Sequence, residues 1–110
     1  MEINQKAPIT INVELDENKI PKKISWSAPD GGLEDQNAKA MLLSFWNYEK
    51  KESFRMDLWV KDMPIEDMKQ FFYQNLVSMT KTYYKATQDE KMTATMNDFC
   101  DYFSEKLNLK

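Results

Sequence analysis

Histidine is absent from this 110-residue chain; cysteine occurs once, glycine twice and proline four times. Each shortage excludes something. Without histidine there is no Ser-His-Asp or Cys-His catalytic system, no histidine-ligated zinc motif and no ordinary proton shuttle near neutral pH. The lone Cys100 forms no internal disulfide, has no partner for a metal clip, and fits a reducing compartment. It falls beside Phe99 on an apolar helical face, where a packed, inert thiol is expected. Gly31 and Gly32 are adjacent, so neither a G-x-G-x-x-G nor a P-loop phosphate cradle exists, and the pair reads as a turn. The longest apolar run, Ala40 to Leu43, is far too short to span a bilayer.

Positive charge is also short. Fifteen basic residues face eighteen acidic ones, a net charge of -3. Phosphate-directed nucleic-acid binding needs a clustered basic surface, and the one local group, Lys19, Lys22 and Lys23, reads as protection of an exposed strand. The N-terminal MEINQKAPITINVEL lacks the basic start and apolar run of a secretory signal. No lipid-acceptor cysteine lies near either end. A cytoplasmic protein without membrane insertion is the expectation.

What is present suits a globular chain: 42% hydrophobic and 13% aromatic residues. One domain over 1–110 is expected, burying roughly 65% of its unfolded surface with no need of disulfide or metal. Ile9, Ile11, Val13 and Leu15 alternate with polar residues, the period of a half-buried strand. Asp16-Glu17-Asn18-Lys19 is a polar turn of hairpin length, and Ile20, Ile24 and Trp26 lie in one phase of the returning strand. Pro21 donates no ladder hydrogen bond, which points to an edge position.

After the Pro29-Asp30-Gly31-Gly32 turn, Ala38, Met41, Leu42 and Phe45 fall at helical spacing and predict a helix over about 35–48. A third strand places Phe54, Met56, Leu58 and Val60 on one face and Ser53, Arg55, Asp57 and Trp59 on the other. Asp62 is the expected N-cap of a long helix, with Pro64 in its first turn, running to about Ala86. Ile65, Met68, Phe72, Leu76, Met79 and Tyr83 form its main stripe. Thr87-Gln88-Asp89-Glu90 matches the capping box and starts a last helix striped by Met92, Met96, Phe99, Phe103 and Leu107. The predicted architecture is α+β, in the order ββαβαα, with a three-stranded antiparallel sheet of strand order 2-1-3 and helices packed on one face.

Carboxylate pairs occur at Asp16/Glu17, Glu34/Asp35 and Glu66/Asp67. All sit at turns or helix starts, where solvation, capping and the helix dipole account for them. No catalytic residue, metal ligand or cofactor site is expected. Two surfaces stand out instead. If the first and third strands are neighbours, Thr10, Asn12, Glu14, Arg55, Asp57 and Trp59 share a polar sheet face. There Arg55 pairs with Glu14 or Asp57 and Trp59 lies over Arg55. An indole on such a face, beside an arginine, also has the composition of a binding hot spot. The candidate partner-binding residues are therefore Trp59, Arg55 and Asp57, with Lys61 and Asp62 at the rim. The second surface is a side stripe on the long helix, Tyr73, Val77 and Tyr84. It serves either to seat the last helix or as a dimer or partner flank.

Three segments, Val13–Trp26 (VELDENKIPKKISW), Ala38–Phe72 and Ala86–Met92 (ATQDEKM), together resemble the gliding-motility protein GldC family of gliding bacteria. The most specific stretch is DLWVKDMPIEDM, Asp57 to Met68. The resemblance covers nearly the whole chain from about residue 9. It implies a small soluble accessory protein of surface gliding and its linked secretion machinery, with no enzymatic motif and no assigned functional residues. The leading expectation is a non-enzymatic adaptor that binds a protein of that machinery. The rival is a small acidic secretion-chaperone-like dimer that holds an unfolded client.

Overall fold

A computed structural model describes residues 5–109. Residues 1–63 and 64–110 form two compact units, each described by itself. The chain is α+β, built from antiparallel sheets and two α-helices among the described residues.

The first unit contains β1 (Thr10–Leu15), β2 (Pro21–Ala28), a single 3-10 turn (Pro29–Gly31), β3 (Leu33–Ala38), β4 (Ala40–Asn47) and β5 (Glu52–Trp59). The turn expected at 16–19 is present and held by Asp16. Its carboxylate accepts from the Asn18 and Ile20 amides at 2.8 and 3.0 Å. Lys19 takes a positive φ of 64° there. Gly32 closes the next turn at φ 76°, a left-handed conformation in which a β-carbon is strained.

Two expectations are corrected. The stretch 35–48 is strand rather than helix, occupied by the end of β3 and all of β4. Its apolar run Ala40-Met41-Leu42-Leu43 satisfies helical and extended spacing alike, and the helix propensity of Ala, Met and Leu is a preference that tertiary context overrides. Pairing decides the matter: β4 lies antiparallel to β5 along its whole length, from Ala40 opposite Trp59 to Asn47 opposite Glu52. The loop between them is a tight turn in which Asn47 Oδ1 accepts from the Lys50 amide at 2.8 Å.

The strand order is also 1-2-3, not 2-1-3, and β4–β5 form a separate two-stranded sheet. With no helix after β2, no crossover is needed, and β3 folds straight back on β2 as a hairpin. β2 is thereby central, although it begins with proline. Pro21 is tolerated because it is the first residue of the strand, opposite Leu15 at a register shift, where no ladder donor is required.

In the three-stranded sheet Val13, Ile24 and Ala38 lie in one row, as do Ile11, Trp26 and Gln36. Ile24, in the centre, is 1% exposed. Only Lys39 separates β3 from β4, so the chain passes from one sheet to the other almost without a loop. Its carbonyl accepts from the Val60 amide at 2.8 Å, and the Lys61 amide donates to the Pro21 carbonyl at 3.2 Å. The end of β5 is thus fixed to both the β3–β4 junction and the start of β2.

The second unit is an antiparallel helical hairpin, α1 (Ile65–Thr87) and α2 (Glu90–Lys106). The 23 residues of α1 span about 35 Å. Both caps differ from expectation. Pro64 is the N-cap of α1, its carbonyl accepting from the Met68 amide at 3.0 Å, while Asp62 is drawn to Lys39. Asp89 rather than Thr87 caps α2, accepting from the Met92 amide at 3.0 Å. Thr87 remains inside α1, where its hydroxyl donates to the Tyr83 carbonyl at 2.8 Å. Between the helices Gln88 adopts φ 60° and donates its amide to the Tyr84 carbonyl at 2.8 Å, a left-handed C-cap.

Candidate protein-contact site around Trp59

Alternation along β5 puts Arg55, Asp57 and Trp59 on one face, as expected. Their neighbours are not those expected. β5 pairs with β4, so the facing residues are Ser44, Leu42 and Ala40 rather than Glu14, Asn12 and Thr10. Arg55 therefore meets Asp57 and not Glu14. It donates from Nε and Nη2 to the two carboxylate oxygens at 3.2 and 2.9 Å. This fork-to-carboxylate geometry fixes both side chains two residues apart on the strand.

Trp59 is 56% exposed. Ala40 stands opposite it, too small to cover an indole. The indole borders an open cleft of about 370 Å³ whose other walls are Ile20, Pro21, Asp57, Leu58 and Lys61. Pro21 starts β2 and Ile20 precedes it, and the bond from the Lys61 amide to the Pro21 carbonyl holds them beside the end of β5. An exposed aromatic ring, a proline and two branched aliphatic side chains thus share one concave surface.

The charges around the cleft are already paired. Lys61 Nζ lies 2.6 Å from Asp16 Oδ2. That ammonium, with the Ile20 and Asn18 amides, holds the Asp16 carboxyl down at about 2. Lys39 Nζ lies 3.0 Å from Asp62 Oδ2 and lowers the Asp62 carboxyl in the same way. With Arg55 tied to Asp57, each charged candidate has an intramolecular partner, while all of them, like Trp59, remain exposed to solvent. No group of three His, Cys, Asp or Glu side chains converges to hold a metal among the described residues. Among them, too, no helix is long and apolar enough to cross a membrane.

The side stripe of α1 faces α2. Tyr73 stacks on Phe103 with ring centroids 6.4 Å apart and planes 14° from parallel. Thr80 is buried and its hydroxyl donates to the Leu76 carbonyl at 2.8 Å, 3.7 Å from the buried Cys100 Sγ. Val77 is half-buried and Tyr84 lies at the exposed margin. Cys100 is the packed thiol expected. Sequence reading missed Ile20 and Pro21 as walls of the Trp59 cleft, and Asp16 and Lys39 as the partners of Lys61 and Asp62. The only local signal was Asp at the head of a turn; the rest depends on strand order.

These features define a small α+β protein with a helical hairpin and an aromatic, charge-framed surface cleft. The model of the gliding motility-associated GldC-like family matches residues 21–109, and the chain belongs to that family. No curated protein and no solved structure matches it.

Proposed function

We propose that this chain is a non-enzymatic, cytoplasmic adaptor of gliding motility and its linked secretion machinery, acting by protein contact through the Trp59 cleft. The observation that carries the reading is the exposed indole beside an apolar concave wall, framed by ion pairs that are satisfied within the chain. A few aromatic and arginine anchors that become desolvated at the centre of an interface carry most of its binding energy. Satisfied charges at the rim set orientation more than affinity. The family membership supplies the process.

The test is recovery of protein partners from a gliding bacterium by tagged wild-type and Trp59→Ala chains. Trp59→Ala is expected to lose a partner that Tyr84→Ala retains, with the unfolding curve unchanged. Equal recovery by both variants would remove the cleft from the proposal.

A second reading, a chaperone-like holder of unfolded clients, is favoured by a different face. Phe45, Phe54 and Met56 project from one side of the β4–β5 sheet and are each at least half exposed. An exposed apolar sheet face of this kind marks an interaction surface. Suppression of aggregation of a reduced model client, lost in Phe54→Ser, would favour this reading over the adaptor.

A further inference from the structure

Ile65, Phe72 and Met79 of α1 are 75%, 44% and 57% exposed, and they recur every seven residues. Met68, Asn75 and Thr82 each follow one of them by three residues, which completes an alternating three-four spacing over most of the helix. No charged residue enters this seam, although the helix carries Glu66, Asp67, Lys69, Lys81 and Lys85 elsewhere. A seven-residue apolar repeat keeps one line of a helix facing a second helix. That second helix is not α2, which contacts α1 through Tyr73 and Thr80, roughly 100° round the axis from the seam.

On α2 the exposed apolar residues Met92 and Phe99 lie about 80° and about 100° round the axis from Cys100, with Tyr102 farther round at about 160°. Antiparallel packing brings the two stripes to the same side of the hairpin. At about 200 Å² for a large side chain, these six leave on the order of 600 Å² of apolar surface per copy. Twice that is roughly 1,200 Å², the lower bound of a specific dimer interface.

The geometry points to a second copy of this chain as the occupant, joined through α1 in an antiparallel four-helix arrangement. The seam is self-complementary. A two-fold axis near Asn75 and Leu76, the middle of α1, sets Phe72 of each copy against Met79 of the other. The same axis opposes the dipoles of the two α1 helices. A parallel pairing would align them. Asn75, half-buried with its amide donating to the Phe71 carbonyl at 2.8 Å, is the one polar side chain at the centre. A single asparagine in such a seam fixes register.

The experiment is sedimentation of the full chain over a wide concentration range, for wild type, Phe72→Glu and the milder Phe72→Ser. The wild type is expected at twice the 13.1 kDa chain mass, and both variants at half the wild-type value with helical circular dichroism retained. A wild-type monomer at the highest concentration, or a dimer that neither variant dissociates, overturns the inference. Oxidation in a Cys100→Ala background reads the alignment. Asn75→Cys is expected to yield a covalent dimer and Ile65→Cys none; self-linking by Ile65→Cys would refute the antiparallel seam.

Discussion

Ile24 offers the sharpest test of how the strand unit is held together. It sits in the middle of the central strand, between Val13 and Ala38, and is the largest side chain almost wholly removed from water. Ile24→Ala removes three carbons, about 2.4 kcal/mol in lost transfer energy at about 0.8 kcal/mol per carbon. The unfilled space adds to this, for an expected cost of about 3 kcal/mol. Ile24→Val removes one carbon and should cost about 1 kcal/mol.

The assay suits the molecule, because Trp26, Trp46 and Trp59 all lie in residues 1–63. Tryptophan fluorescence in urea therefore follows the strands while ellipticity at 222 nm follows the helices. With a denaturant slope of about 1 kcal/mol per molar urea, Ile24→Val should lower the fluorescence midpoint by about 1 M. Ile24→Ala should leave the strand unit substantially unfolded before urea is added, since small units have only a few kcal/mol in reserve. Ile9→Ala is the control: Ile9 is largely exposed, so its loss should cost less than about 0.5 kcal/mol. If Ile24→Ala proves no more costly than Ile9→Ala, the three-stranded sheet is not organised around Ile24.

Other expectations are narrower. Gly32→Ala should cost about 1 kcal/mol from its positive φ alone, because nothing crowds the added carbon, whereas Gly31→Ala should be nearly neutral by the same unfolding assay. Asp89→Ala should lower the thermal midpoint read at 222 nm, since it removes the α2 cap and the acceptor of the Tyr83 hydroxyl at 2.9 Å. Asp16 has its folded pKa depressed from 3.8 to about 2, so its contribution is complete above about pH 4 and is lost as pH falls toward 2. The stability gap between wild type and Asp16→Asn should therefore narrow between pH 4 and pH 2; a gap that widens in that range would contradict the Lys61 pairing.

Much of the molecule was legible where one period fits and the other does not. β1, β5 and the extents of both helices follow from apolar spacings that admit a single reading, but Ile65, Phe72 and Met79 of the main α1 stripe stay exposed while Tyr73 and Thr80 beside them meet α2. Residues 40–43 admit two, and the wrong one was the more natural, because Ala, Met and Leu are helix formers and the run is apolar on every face. What makes them strand is Glu52–Trp59, a partner more than ten positions away along much of its length. The decision is tertiary, and local propensity does not contain it. The misplaced caps have a related cause. Asp62 and Thr87 both carry side chains suited to capping, but Lys39 attracts the first and the Tyr83 carbonyl holds the second.

The same misreading explains why Trp59 was visible while its surroundings were not. An indole on the polar phase of a strand is a local anomaly, and it can be found by alternation alone. Which side chains stand next to it depends on strand order. A helix at 35–48 would have forced a crossover and put β1 beside β5, with Glu14 available to Arg55. Strands there leave Arg55 to close on Asp57 and bring Ile20 and Pro21, not Thr10 and Asn12, to the indole. The change alters the chemistry of the surface: a polar sheet face becomes a partly apolar cleft with its charges spent on one another. A partner for such a cleft is selected by shape and apolar contact more than by charge. Recovery by the wild-type chain should therefore survive raised salt but not Trp59→Ala, while binding governed by Lys61 or Arg55 would fall steeply with ionic strength.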